Sequence, residues 1–331
     1  MLYVVMPPLM RGRSEEVFMP QLSKEFTRTG AVLINPPQLR NTIKVGDFYD
    51  EETLVKKCLD SYMALIKKLK KGDRIFFLDF WLPGIDVLKY FSERLELGIK
   101  IGALVVGGTP VRGDSSQSWG DWIRNIEPSW VSSLDFMLFN SYHCQKSFAK
   151  RYQLPKNATC LLPFYQKGIL KYKKKWKDRK DWVVFPHRWV IGKHPEIFLK
   201  YMGLFKDNAV VLTPRELPEK VYCKVFVNKT REEYLERLSR AKVIFSASDM
   251  ETGYGTALQE AITLGVTPLV TDKQVDYRSL YNRRLRYKTM NEARGKVKLF
   301  LREEQVEYLP NLKPLEKSDR EIVKMVNKYL R

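Results

Sequence analysis

At 331 residues the chain is long for a single core, so two domains of ordinary size are expected. Hydrophobic residues at 44% and charged residues at 29% describe a soluble globular chain, and no apolar run reaches the length needed to span a bilayer. Lys and Arg number 58 against 38 Asp and Glu, a formal charge of +20, which disfavours polycationic partners and favours polyanionic ones: nucleic acid, an anionic membrane or an acidic glycan. The start, Met1-Leu-Tyr-Val-Val, lacks a basic n-region and a long apolar core, so it reads as a first strand rather than a signal peptide. Cys58, Cys144, Cys160 and Cys223 lie far apart with no CxxC pair, which fits reduced structural thiols and a cytoplasmic location.

Tyr3–Met6, Ala31–Asn35, Arg74–Asp79, Lys100–Val106 and Phe136–Asn140 read as strands. Asp50 can cap a helix running to about Lys71, with Leu54, Cys58, Leu59, Tyr62, Leu65 and Leu69 at helical spacing and Gly72-Asp73 as its stop. Two more helices cover Ile85–Glu96 and Ser141–Tyr152. Strands separated by helices imply a parallel, doubly wound α/β sheet. A lysine-rich stretch, Lys167 to Lys180, breaks this rhythm. The expected organisation is therefore a first Rossmann-like domain over 1–165, a basic linker over 166–181 and a second Rossmann-like domain over 182–331. In the second half, strands at Trp182–Pro186, Ala209–Thr213, Lys224–Val227 and Val243–Ser246 alternate with helices at Pro195–Phe205 and Arg231–Ala241. A last helix, Asp319–Leu330, closes the chain.

The most informative stretch runs from Ser248 to Asp272. Gly253-Tyr254-Gly255 reads as a turn, Thr256 to about Gly265 as a helix, and Val266–Thr271 as a buried strand. Glycines leave N–H groups uncovered at a helix start, where the dipole favours an anion. Glu260 follows just over a turn later, and a carboxylate accepts from two adjacent hydroxyls at once. Exposed N–H groups beside an acid suit a ligand carrying both phosphate and sugar hydroxyls. No Asp-x-Asp, no Walker-type phosphate loop and no dinucleotide fingerprint occurs, and His143, His187 and His194 form no zinc pattern. A bound metal or cofactor is therefore not expected.

Three segments of the second half, in order, carry a family resemblance: Phe185-Pro-His-Arg-Trp-Val-Ile-Gly-Lys193, Thr230 to Ser248, and the Gly-x-Gly, helix, Glu-Ala and Gly-x-x-Pro-Leu-Val run up to Val270. Together they resemble the donor-binding domain of GT-B glycosyltransferases, especially the large retaining, nucleotide-sugar-dependent group. The resemblance implies two Rossmann-like domains facing a cleft, with the C-terminal helix returning toward the first. It implies that Arg188 and Lys193 grip the donor diphosphate and that Glu260 holds the ribose hydroxyls. Gly253, Tyr254, Gly255 and Thr256 would face sugar or phosphate. The family's first motif glutamate lies eight residues before the second, which here is Thr252, with Glu251 one residue further back. Either the turn carries an extra residue and Glu251 reaches the sugar, or Thr252 replaces it.

In the first half, Val106-Gly-Gly-Thr-Pro-Val-Arg-Gly-Asp114 stands where the family often has a histidine. Gly107, Gly108 and Thr109 allow close backbone approach, and Asp114 is the acidic candidate beside the acceptor, able to orient a hydroxyl or act as base. Capping of a helix containing Trp119 and Trp122 is an equally weighted role for Asp114. Trp119 is a candidate acceptor contact, although each tryptophan alone is expected to pack in the core.

The function implied is a hexosyltransferase using a UDP-linked donor such as UDP-glucose and retaining anomeric configuration. The charge and the lysine run add a resemblance to phage enzymes that glycosylate hydroxymethylated bases in duplex DNA, in the host cytoplasm. Two alternatives stand beside it. One is synthesis of a surface polysaccharide or lipid-linked glycan at an anionic membrane. The other is a non-catalytic nucleic-acid-binding protein on the same scaffold.

Overall fold

The computed structural model describes residues 1–6, 15–34, 51–80, 84–111, 117, 121–160, 164–165, 167–187, 189, 193–202, 205, 207–217, 220–248, 255–273, 278, 281–303 and 313–331. Two compact units emerge, Met1–Leu162 with Lys317–Arg331, and Pro163–Glu316.

In the first unit six short apolar runs become strands: β1 (Leu2–Val5), β2 (Val32–Ile34), β3 (Arg74–Phe77), β4 (Lys100–Val105), β5 (Phe136–Phe139) and β6 (Thr159–Cys160). They form one sheet in the order β2-β1-β3-β4-β5-β6, and every pairing is parallel. All four residues of β5 are buried, as a parallel sheet covered on both faces requires. The covering helices include α1 (Glu15–Arg28), α2 (Glu51–Ile66), α3 (Ile85–Arg94), α4 (Asp121–Ser132) and α5 (Tyr142–Arg151). Ser141 caps α5 by accepting from the Cys144 N–H at 3.1 Å. The closing helix, Leu315–Tyr329, begins four residues earlier than expected. Its end belongs to this unit: Tyr329 stacks on Phe136 of β5 at 5.2 Å, and Ile322 and Val326 are fully buried.

Two expectations change here. The helix expected to reach Lys71 stops at Ile66. The Lys70 N–H is taken at 2.8 Å by the Asp73 carboxylate, which also pairs with the N-terminal ammonium of Met1 at 2.6 Å. That knot turns the chain into β3 and holds β1 beside it. The helix α1 had no counterpart in the sequence reading. Pro20 inside it, at odds with a helix interior, hides its signal.

The second unit repeats the plan. Strands β8 (Lys180–Phe185), β9 (Ala209–Thr213), β10 (Lys224–Val227), β11 (Ala241–Ser246), β12 (Thr267–Thr271) and β13 (Arg286–Tyr287) form a parallel sheet in the order β10-β9-β8-β11-β12-β13. A small pair, β7 (Phe164–Tyr165) with β14 (Lys313–Pro314), lies outside it. The helices α6 (Pro195–Met202), α7 (Arg231–Ser239) and α8 (Thr256–Thr263) fall within the expected segments. The helix Met290–Arg302 was not expected, although Thr289-Met-Asn-Glu292 is a capping box in outline: Thr289 accepts from the Glu292 N–H at 3.3 Å.

The lysine-rich stretch is built into this unit. Residues 167–172 form a 3-10 turn whose Ile169 is buried with Trp182, Leu235 and Leu258. Arg179, buried despite its charge, donates to the carbonyls of Lys174, Ala241 and Leu264. Leu264 lies at the end of α8, so one guanidinium satisfies a helix-end acceptor and fixes the basic segment against it.

Candidate functional site

In the second sheet the strand order reverses between β8 and β11, because β8 pairs with β9 on one side and β11 on the other. At such a switch point the two following loops leave in opposite directions and open a crevice at the strand ends. The loop after β8 carries His187, Trp189 and Lys193; that after β11 leads from Ser246, Ala247 and Ser248 to Gly255 and α8. The topology therefore brings together the two segments that the sequence reading assigned to one donor.

The β8 loop is anchored by aromatic packing. The His187 and Trp189 rings meet Phe185 edge-on at 5.2 and 5.8 Å. Lys193 follows, half-buried, and His194 takes a left-handed φ of 53° before α6 begins. Arg188 lies outside the described residues, as do Glu251, Thr252, Gly253 and Tyr254.

Gly255 is the N-cap of α8, with φ 52° and ψ 119°, a backbone region that side chains with a Cβ avoid. As a glycine, Gly255 offers no side-chain acceptor to the first-turn N–H groups of the helix. Thr256 is the first helical residue and half-buried. Glu260 is 2% exposed, with Oε1 2.6 Å from Nη2 of Arg231 at the start of α7. Burial raises its carboxyl above the usual range, while Arg231 and the Tyr234 hydroxyl pull the other way. Arg231 and Tyr234 share one face of α7 at i, i+3 spacing, and neither was singled out from sequence. Their relation to Glu260 depends on how α7 packs on α8, which no local pattern encodes.

In the first unit the loop after β4 holds Gly107, Gly108 and Thr109, all buried. A carboxylate that sequence reasoning missed supports it. Glu127, on α4, is 0% exposed. It accepts from the Thr109 N–H at 3.1 Å, from the Thr109 hydroxyl, and from the Tyr152 hydroxyl at 2.8 Å. Burial raises its carboxyl, and these hydrogen bonds offset part of that. Burial also pushes the Tyr152 phenol up to about 12. Asp114 and Trp119 lie outside the described residues. Trp130 packs edge-on against Phe80 in the core, whereas Trp122 is 43% exposed on α4, contrary to its expected burial.

A raised carboxyl stabilises the fold below the unfolded pKa, and this contribution is lost as pH rises through the folded pKa. Glu127→Gln keeps the shape and removes the titration. Across that window wild type should therefore lose stability relative to Glu127→Gln as pH rises. Urea melts at pH 4 to 7 check this; a constant difference between the two proteins contradicts it.

No family model matches the sequence, and no curated protein matches it. Solved structures do. The α,α-trehalose-phosphate synthase (UDP-forming) of Burkholderia xenovorans, in complex with glucose-6-phosphate, is 10% identical with a TM-score of 0.62, over 99% of this chain and 97% of that one. Sucrose-phosphate synthase of Thermosynechococcus elongatus is 14% identical with a TM-score of 0.62, over 99% and 96%. An E. coli trehalose-6-phosphate protein bound with UDP-2-fluoro glucose is 11% identical with a TM-score of 0.61, over 99% and 97%. The fold is GT-B.

Of the GT-B donor residues expected from sequence, Lys193, Gly255, Thr256 and Glu260 are described and follow the two switch-point strands. On the expected acceptor side, Gly107, Gly108 and Thr109 form the supported turn. Among the described residues no group of three His, Cys, Asp or Glu side chains is placed to hold a metal ion. Nor is any described helix long and apolar enough to cross a membrane.

Proposed function

We propose that the protein is a nucleotide-sugar glycosyltransferase that moves a hexose from a UDP-linked donor to a hydroxyl of an anionic acceptor. The observation that carries this is the pairing of the β8 loop with the Gly255–α8 turn at the switch point of a GT-B second sheet. In this reading Arg188 and Lys193 face the donor diphosphate, and the start of α8 behind Gly255 takes a phosphate or sugar oxygen. Glu260, held by Arg231 and Tyr234, receives the ribose hydroxyls. Glu251 or Thr252 faces the transferred sugar.

During transfer the bond between the anomeric carbon and the diphosphate oxygen breaks, and a bond from that carbon to the acceptor oxygen forms. Negative charge grows on the departing diphosphate, where the two cations stabilise it most. With retention, the acceptor proton passes to a departing phosphate oxygen, and no protein base is needed. Asp114 orients the acceptor hydroxyl, and the Gly107–Thr109 turn shapes the acceptor side.

The charge of +20 supports the anionic acceptor and keeps duplex DNA carrying hydroxymethylated bases as a second reading. The neighbours include a synthase complexed with glucose-6-phosphate, which supports a sugar phosphate. The test incubates the protein with UDP-glucose and related donors and either hexose phosphates or hydroxymethylated duplex DNA. UDP release and a hexose mass added to one acceptor are expected. Absence of both UDP binding and UDP release with every donor overturns the proposal and favours a non-catalytic role.

A further inference from the structure

Beside the switch point, the carboxyl ends of β12 and β13 frame a cavity of about 320 Å³ lined by Asp272, Lys273, Arg278 and Lys288. Its volume lies in the range of small-ligand sites. Among the described residues every lining residue is charged, three cations against one carboxylate. The described carboxylate, Asp272, is 8% exposed and already paired with Arg286, whose Nη1 lies 2.7 Å from Oδ1. Arg278 is fixed by its Nε, which donates to the Asp272 carbonyl at 2.7 Å. Lys273 and Lys288 are exposed and, among the described residues, neither ammonium has a carboxylate partner. The backbone positions them: Lys273 N–H donates to Thr271 Oγ1 at 3.2 Å, and Lys288 N–H to Glu292 at 2.8 Å.

Three cations around one small pocket repel one another unless an anion lies between them. A compact dianion relieves it. A guanidinium offers a fork to two oxygens, while two ammonium groups supply point charges to the rest. The pocket is sized for a phosphoryl group with a sugar attached, whereas a nucleic-acid backbone calls for a row of cations along a groove. We infer that Lys273, Arg278 and Lys288 form a binding site for a phosphate monoester, such as the phosphoryl group of a phosphorylated sugar. Phosphate binding at this pocket does not rest on the glycosyltransferase reading.

The test is calorimetric titration with glucose 6-phosphate, inorganic phosphate and glucose at fixed ionic strength, with UDP saturating so that the donor diphosphate site is filled. Glucose 6-phosphate and inorganic phosphate should bind and glucose should not. Lys273→Gln/Lys288→Gln should weaken glucose 6-phosphate by at least about tenfold, and Lys273→Arg/Lys288→Arg should restore it. UDP affinity should stay within about twofold, since neither lysine faces the donor in this reading. Unchanged glucose 6-phosphate affinity in the Gln variant, equal binding of glucose, or loss of duplex DNA binding in place of monoester binding overturns the site. Phosphate binding that depends on both lysines in a protein that never binds UDP upholds the site and sinks the glycosyltransferase reading instead. Both lysines are exposed, so these variants keep the fold; each single Gln variant should show part of the loss.

Discussion

Lys193→Ala and Arg188→Ala are each expected to lower kcat/KM for sugar transfer by about 10²- to 10³-fold, with melting temperatures close to wild type. Both cations stand on the loop that leaves β8 at the switch point, and both are assigned to the leaving diphosphate. Its charge is greatest as the glycosidic bond breaks, so the loss should fall on kcat more than on KM. Arg188→Lys should recover only part of the activity, because an ammonium cannot replace a planar fork across two phosphate oxygens. Steady-state UDP release checks this. Wild-type rates in both Ala variants would remove the β8 loop from the donor site and leave only the α8 turn.

Gly108→Ala is expected to destabilise the protein by about 3 kcal/mol or more, the largest single effect on stability foreseen. A Cβ at this position runs into the Cζ of Phe148 and comes within 2.5 Å of Glu127 Oε1. Neither neighbour yields easily. Phe148 is fully buried and packs edge-on against Phe80, Phe139 and Tyr152. Glu127 is held by Thr109 and Tyr152. Gly108 also sits at a φ of +157°, which adds backbone strain for any other residue. The control is Gly30→Ala: φ is +83°, but nothing lies within 4 Å of the added carbon, so the cost is only the backbone part, about 1 kcal/mol. Urea denaturation of both variants separates packing from strain. Equal losses at the two positions would show that the contact with Phe148 and Glu127 carries no weight.

What could be read from sequence depended on whether the signal was local. Five strands of each sheet were legible as short apolar runs, whereas the two-residue edge strands β6 (Thr159–Cys160) and β13 (Arg286–Tyr287) carry no such run and were not foreseen. The helix α7 was legible within Arg231–Ala241; the structure adds its cap, Thr230 accepting from the Glu233 N–H at 3.2 Å. Helix α1 and the helix Met290–Arg302 were passed over because Pro20 and Gly295 break an otherwise periodic pattern, and tertiary packing overrode that penalty. The stop of α2 at Ile66 was equally out of reach, since it follows from an Asp73–Met1 pair across more than seventy residues of chain.

The same division runs through the candidate sites. Local pattern was enough for the alternating α/β plan and for the glycine before α8, whose positive φ only that residue type adopts freely. It also marked Lys193 and Glu260 as residues to watch, because residue type and short spacing carry their chemistry. Only the tertiary structure decided strand order, and with it the reversal between β8 and β11 that makes neighbours of two loops about sixty residues apart. Only packing could give Glu260 its Arg231 and Tyr234, give Thr109 its Glu127, and gather Lys273, Arg278 and Lys288 around one cavity. The reason is physical. Hydrogen-bond spacing and side-chain periodicity act over a few residues and are written in the sequence. Burial, by contrast, selects contacts between distant segments, and the charge state and partners of a buried group exist only once those segments have packed.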